Sequence, residues 1–448
     1  MTYLDRLRPE SPQSVLRTYC LGLLTKEKVN MESFFNVKTS EEVFKIIDRF
    51  EPSGEETIPL EESLGRILNQ DLVSPEDLPG FLRSTVDGYA VTARDTFGAS
   101  ESLPALLEVS GEVLMGNFPT EVISRGQAAK ISTGGMLPQN TDGVVMVEYC
   151  NLIDETTLEV SRAISPMENV IQPGDDFRKG ETVLKKGRRL LPHDLGVMAG
   201  LGWREVPVYT RPLIAIISTG DEIVTVDETP APGQVRDINR YTLGAFCTQH
   251  GAKPLYMGLC PDEFGPMQYT VSRAVEEADS VWISGGSSVG TRDLTLEVFK
   301  ELKDFQLLAH GISISPGKPT IIGQAGLKPV IGLPGHVASA LVVAEVFLKR
   351  LIHRLSGLKN YLWDSRGMIR ATLSRNIESA NGREEYIRVT LLEKDNVLWA
   401  EPVFGKSGLI STLVRADGLI RVDINTEGLY QGQQVDVLPL DPIRGGNF

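Results

Sequence analysis

From Arg211 onward, short apolar runs alternate with stretches whose apolar residues recur at helical spacing. Residues 213–217, 255–258, 280–283 and 329–333 read as buried strands. Residues 239–250, 264–278, 337–355 and a segment opening at Asp293 read as helices. Apolar strands separated by helices specify a mostly parallel sheet covered on both faces, with ligands expected at the carboxyl ends of its strands. Upstream the period changes. Residues 40–47 carry a capped amphipathic pattern and 59–68 a second helical one, whereas 86–91, 106–109, 128–131 and 143–147 are strand-like runs broken by Gly, Pro and Asn. Residues 169–191 return from this β-rich insertion in short extended pieces. Near the end, runs at 385–391, 397–400, 418–422 and 434–438 indicate a small antiparallel barrel or sandwich. An apolar stretch at 15–24 reads as a helix on an N-terminal extension.

A length of 448 residues accommodates two to four such domains. The formal charge of −14 leaves no basic excess to neutralise a nucleic-acid backbone, so a small anion screened by metal ions or local lysines is the compatible charged ligand. Cys20, Cys150, Cys247 and Cys260 lack the close spacing of a zinc site or a disulfide framework. No apolar run is long enough to span a membrane and the first residues lack a signal-peptide pattern, so the expectation is a cytoplasmic protein without membrane or nucleic-acid partners.

Chemistry concentrates where strands give way to loops. Ser284-Gly285-Gly286-Ser287-Ser288-Val289-Gly290 follows an apolar strand and precedes Asp293; glycines let backbone N–H groups approach a phosphate and serines add donors. The plainer reading is an ordinary strand-to-helix turn capped by Asp293. Ser218-Thr219-Gly220-Asp221-Glu222 closes another strand and Leu333-Pro334-Gly335-His336 a third, with Ser315-Pro316-Gly317-Lys318-Pro319 nearby. Lys318 is a candidate anion contact. Asp221, Glu222, Asp262 and Asp293 supply carboxylates suited to Mg²⁺, the plain alternative being surface caps. In the β-rich part, Asp87-Gly88 reads locally as a hairpin turn.

Taken together these motifs, with Ser84 to Ala90, Ile131 to Pro138, Asp142 to Glu148 and Pro173-Gly174-Asp175-Asp176, resemble the MoeA/gephyrin E-domain family of molybdopterin molybdenumtransferases from about residue 35 to the C-terminus. The resemblance implies a multidomain α/β protein. Its parts would be a helical extension (1–35), an elongated linker domain in two segments (36–78 and 163–210) and an inserted β-rich domain (79–162). A three-layer α/β domain with a mostly parallel sheet, MogA/MoaB-like (211–358), and a C-terminal β-barrel domain (359–448) would follow. It further implies an elongated homodimer whose site lies between the α/β domain of one subunit and the β domain of the other. The implied reaction is Mg²⁺-dependent hydrolysis of adenylyl-molybdopterin with insertion of molybdate or tungstate into the dithiolene and release of AMP. The molybdopterin adenylyltransferase and apo-molybdoenzymes are the implied protein partners. By matching motifs, Asp87, Thr133, Asp176, Glu222, Asp262 and Asp293 take the catalytic positions, and Asp221, Glu222 and Asp293 the metal. Ser218, Gly220, Ser284, Gly285, Gly286, Ser287, Gly290, Lys318, Pro334 and Gly335 take substrate positions, and Ser339, Arg388 and Ser407 line the oxyanion pocket.

The chain departs from the family pattern at several basic positions. Ser315, Gly311 and Ile171 stand where cations are usual, and Pro334-Gly335-His336-Val337 replaces Pro-Gly-Asn-Pro. Fewer cations alter anion affinity or selectivity. The alternative function is therefore a catalytically weakened paralogue that carries molybdopterin or acts as a scaffold. A nucleotide-binding enzyme unrelated to pterins is poorly supported, since no G-x-x-x-x-G-K-[ST] occurs.

Overall fold

In a computed structural model of the chain, residues 37–285, 289–358 and 367–440 are described, residues 289–292 through their backbone alone. The extension expected over 1–35, and Gly286 and Ser287, lie outside these residues. The described chain forms two compact units. One takes residues up to Glu56, Gly65–Ile67 and everything from Val208; the other takes Thr57–Leu64 and Leu68–Pro207.

The first helix, α1 (Ser40–Ile47), begins with a capping box. Thr39 Oγ1 accepts from the Glu42 N–H at 3.3 Å while the Glu42 carboxylate accepts from the Thr39 N–H at 2.9 Å. The second helix expected here, over 59–68, is absent. Leu60–Glu62 makes a single 3₁₀ turn, the Ser63 hydroxyl donates to the Leu60 carbonyl, and Gly65 adopts φ +74, so the chain turns instead of winding on.

The second unit is built on a six-stranded sheet of β1 (Gly88–Val91), β2 (Ala105–Val113), β3 (Gln127–Ile131), β4 (Gly143–Met146), β5 (Cys150–Leu152) and β6 (Thr157–Val160). Its order is β4-β1-β3-β2-β6-β5, with only β2 and β3 parallel. One core packs on Tyr89, Val91, Leu107, Val145 and Leu158, and another on Ala90, Ile123, Ile131 and Val144. Alternate residues of β1 thus feed opposite faces, as a pleated strand requires. Segments on either side of this sheet pair with each other, Arg83–Ser84 with Val170–Ile171 and Leu72–Val73 with Thr182–Leu184, before helix α2 (Pro192–Gly200).

In the first unit the alternating pattern folds as expected. Strand β7 (Leu213–Thr219), helix α3 (Asn239–Gln249), β8 (Lys253–Cys260), α4 (Phe264–Glu277), β9 (Ser280–Gly285) and α5 (Val289–Lys300) come first. They are followed by β10 (Phe305–His310), β11 (Ile321–Ala325), β12 (Lys328–Leu333) and α6 (Val337–Val343), which continues through a π-helical stretch, Ala344–Leu348, into α7 (Lys349–Leu355). The sheet order is β8-β7-β9-β12-β11-β10, parallel across the first four strands and antiparallel across the last two pairings. β10 and β11, which the sequence pattern did not mark as strands, form this antiparallel edge. Both faces are apolar. Ile214, Ile216, Trp282 and Ile331 enter one core while Ala215, Ile217, Val281, Ile283 and Val330 enter the other.

The C-terminal strands are β13 (Ile369–Leu373), β14 (Glu384–Lys394), β15 (Val397–Pro402), β16 (Gly418–Val422) and β17 (Gln434–Pro439), with the short helix α8 (Ser411–Val414) before β16. They pair in the order β14-β15-β13-β17-β16, and β16 pairs back to β14, closing a five-stranded barrel with no free edge among these strands. The two-residue strand Ile314–Ser315, between β10 and β11, pairs in parallel with Glu384–Glu385 of β14. No described helix is long and apolar enough to cross a membrane.

Truncation of a fully buried β7 residue, Ile216→Ala, is expected to cost about 2–5 kcal/mol. Ile153→Ala, at an exposed position, should cost less than about 0.5 kcal/mol. Urea unfolding midpoints measure both.

Candidate active site

Parallel register brings several sequence-predicted residues to one sheet edge. Ser218 lies opposite Ser284, Thr219 opposite Gly285 and Cys260, and Ser284 opposite Leu333. Gly220-Asp221-Glu222, Asp262 and Pro334-Gly335 therefore leave from neighbouring strand ends. Gly285 has to be a glycine, because a Cβ there would run into the Thr219 carbonyl and hydroxyl. Gly220 adopts φ +146, which side-chain-bearing residues avoid. The hydroxyls of Ser218, Thr219 and Ser284 are buried and make no hydrogen bond among the described residues. Buried hydroxyls without partners at a strand edge are donors held ready for an oxygen-rich ligand.

The acidic residues are less tightly gathered. Asp221 Oδ1 accepts from the Asp262 backbone N–H at 3.3 Å, and Asp221 and Glu222 are exposed. Asp293 does not cap its helix. α5 starts at Val289, with Gly290 in its first turn, so Asp293 sits a turn inside. Among the described residues, no three His, Cys, Asp or Glu side chains are grouped to hold a metal ion. Exposed carboxylates suit Mg²⁺ as one or two ligands beside substrate oxygens, but they do not form an all-protein cage.

A second arrangement lies where the Ile314–Ser315 strand meets the barrel. A cavity of about 450 Å³ is lined by the turn Ser315–Pro319, by Pro334, Gly335 and His336, by Ser339 of α6, by Arg383 just before β14 and Arg388 within it, and by Ser407. Lys318, Pro334, Gly335, Ser339, Arg388 and Ser407, up to 89 residues apart in sequence, thus face one space. Gly317 makes the turn possible with φ +116; a Cβ there would press on Val343 and Ile314. Ser407 Oγ is 2.8 Å from His336 Nδ1, and its carbonyl accepts from the Ala338 N–H.

Arg388 decides the electrostatics. Only 9% exposed, it donates from Nη1 to Thr412 Oγ1 and from Nη2 to the Gly405 carbonyl, both at 3.1 Å, while its Nε has no partner. No carboxylate pairs with it among the described residues, and burial pulls its pKa below the usual arginine value. Arg383, by contrast, is held by Glu385 at 2.8 Å. A buried guanidinium with neutral partners stays charged and favours an anion in the adjoining space.

In the second unit, three stretches are stitched together. The Gly134 N–H donates to the Ser84 carbonyl, the Ser84 N–H to Gly135, and Val170 pairs with Ser84. Asp87 Oδ1 accepts from both the N–H and the hydroxyl of Thr133, at 2.7 and 3.1 Å. Asp87 is thus more than a hairpin turn residue: its carboxylate orients Thr133. Asp176 lies exposed on the turn after Val170–Ile171.

Residues 37–202 match the family model of the MoeA N-terminal region (domain I and II), 215–354 that of the "Probable molybdopterin binding domain", and 370–440 that of the MoeA C-terminal region (domain IV). A Methanocaldococcus jannaschii protein named for molybdopterin biosynthesis is 35% identical over 389 residues, covering 85% of this chain and 91% of its own. The chain belongs to the MoeA family. The molybdopterin molybdenumtransferase of Haemophilus influenzae is 32% identical, covering 88% of this chain and 96% of its own. The crystal structure of a molybdopterin biosynthesis MoeA protein from Pyrococcus horikoshii matches with TM-score 0.78 at 36% identity, over 91% of this chain and all of that one.

Two buried polar residues at the sheet edge escaped the sequence reading. Asp237 and Asn239 precede and open α3 and are buried, each with one oxygen that makes no hydrogen bond among the described residues; Asn239 Nδ2 donates to the Gly335 carbonyl at 2.9 Å. Their Asp-x-Asn spacing before a helix was the available signal, and it reads equally well as simple capping.

Gly285→Ala should lower stability by about 1–3 kcal/mol through backbone overlap at the strand edge. Gly196→Ala, in α2 with open space around it, should be neutral or stabilising. Thermal melts of both variants check the close approach.

Proposed function

We propose that this chain is a molybdopterin molybdenumtransferase of molybdenum cofactor biosynthesis, acting on adenylyl-molybdopterin and molybdate and releasing AMP. The observation that carries this reading is the buried, uncompensated Arg388 in a cavity shared with Lys318, Ser339 and Ser407. A tetrahedral oxyanion is the ligand such a set suits, because hydroxyls and cations converge and, among the described residues, no carboxylate lines the cavity to repel it. The relatives' names, and the matches along most of the chain, support the same substrate class.

In this reading the phosphoanhydride lies along the strand edge, where the orphan hydroxyls of Ser218, Thr219 and Ser284 donate to its oxygens. Mg²⁺, held by Glu222 and Asp293 with Asp221 beside them, would supply charge neutralisation and polarise the phosphorus when bound. Asp262 holds Asp221 in place through its backbone N–H. Water displaces AMP from the anhydride, and molybdate in the Arg388 cavity forms bonds to the two dithiolene sulfurs as the two thiol protons leave with one of its oxygens as water. Tungstate, of the same shape and charge, is the competing anion.

We further propose that the protein works as a homodimer in which the Asp87–Thr133 turn of one copy completes the site of its partner. Substrate would arrive from the molybdopterin adenylyltransferase, and product would pass to apo-molybdoenzymes. The departures from the family pattern favour a second reading, binding without turnover. Gly311 adopts φ +103, which a lysine rarely takes, and Ser315 brings no charge to the cavity.

Purified protein with adenylyl-molybdopterin, molybdate and Mg²⁺ should release AMP. Tight binding without release would select the scaffold reading. Arg388→Met should raise the molybdate concentration for half-maximal release roughly 10- to 100-fold with the fold intact; an unchanged requirement would remove the cavity from the mechanism. Mixing an Asp87→Ala subunit with an Asp293→Ala subunit should recover one working site per heterodimer, whereas no recovery counts against shared sites.

A further inference from the structure

A second cavity, of about 350 Å³, opens on the other side of α6. Thr242, Phe246 and Gln249 of α3 line it, with Leu341 of α6, Glu345 of the π-helical stretch and Leu413 of α8. None of these residues belongs to the anion cavity. The walls are mainly apolar, and one side chain is out of place among them. Glu345 is only 6% exposed, and among the described residues its Oε2 makes no hydrogen bond and pairs with Lys349 Nζ 3.6 Å away. Burial pushes this carboxyl up to about 7, with Lys349 pulling it down. A carboxyl oxygen left without a hydrogen bond in an apolar wall costs stability, and a π-helical stretch is a local rearrangement frequent at functional sites.

We propose that this cavity is a binding site for a neutral, planar, fused-ring heterocycle that presents two adjacent N–H donors to Glu345, the aminopyrimidinone edge that guanine and pterins share. Charge argues for a neutral ligand. Lys349 already offsets the carboxylate, so an incoming cation would add a second buried positive charge. Volume argues for a single ring system, since 350 Å³ lies near the lower limit for small-molecule sites. Two parallel N–H groups match the two oxygens of one carboxylate, and the Gln249 amide, which lines the same cavity, supplies a donor for a ring carbonyl. Phe246 and Leu413 provide apolar contact for the ring.

The test titrates 6-methylpterin and guanosine into the full-length protein by fluorescence and calorimetry. Lumazine, in which an oxo group replaces the 2-amino donor, is the control. The expected result is saturable binding of at least one probe, with lumazine at least about tenfold weaker. Glu345→Gln should weaken binding at least about tenfold, since one amide cannot accept two donors. Leu413→Trp, filling the cavity, should abolish it. Arg388→Met should leave it intact, which separates this site from the anion cavity and from the proposed transferase reading. Gln249→Leu, at an exposed position, serves as the polar variant if Glu345→Gln melts early. No saturable binding at about 1 mM probe, equal affinity for lumazine, or wild-type affinity in both Leu413→Trp and the polar variant overturns the proposal. Loss of binding with Arg388→Met overturns it as well, by placing the probe in the other cavity.

Discussion

Two residues of strand hold the anion cavity together. Ile314 and Ser315 pair in parallel with Glu384 and Glu385 of the barrel, and the Glu384 N–H donates to the Ser313 carbonyl at 2.9 Å. That seam fixes the Pro316–Pro319 turn against β14, the strand that carries Arg388. The same stretch is held from the other side, where Lys38 exchanges backbone hydrogen bonds with Gly311 and Ser313 just before α1. The cavity is therefore not a property of the α/β sheet or of the barrel taken singly. It exists because backbone groups, which lie close only when both are folded, bring a rigid turn, a helix start and a barrel strand to one place.

What could be read from the sequence follows from the range of the forces involved. The strands at 213–217, 280–283 and 329–333 declared themselves because burial on both faces demands uninterrupted apolar residues. β10 and β11, at the sheet edge, escaped because the antiparallel hairpin there is set by neighbours and not by a strong local pattern. The helix expected over 59–68 failed for a local reason, the Ser63 hydroxyl and the positive φ of Gly65. Asp293 was misplaced by a turn because the glycine-serine run hid where α5 begins.

Site residues divide in the same way. The sheet-edge loops could be inferred from strand order alone, since parallel register levels Ser218 with Ser284. Lys318, Ser339, Arg388 and Ser407 share no periodicity, and only family resemblance pointed to them together. Glu345 passed unnoticed because one acid in an apolar helix looks like a surface position until its burial is seen. The bond from Thr133 to Asp87 joins residues 46 apart through antiparallel pairing of β1 with β3. Sequence named both residues without showing that they touch.

α8 stands between the two cavities. Thr412 accepts a hydrogen bond from Arg388 while its neighbour Leu413 faces the other space. The burial of Arg388 also carries a kinetic consequence. The chain's charge of −14 repels an incoming dianion at distances that ionic strength readily shortens, whereas a guanidinium only 9% exposed is screened much less by dissolved ions. Raising salt should therefore quicken the arrival of oxyanion more than it hastens its escape, the reverse of the behaviour of a shallow basic patch.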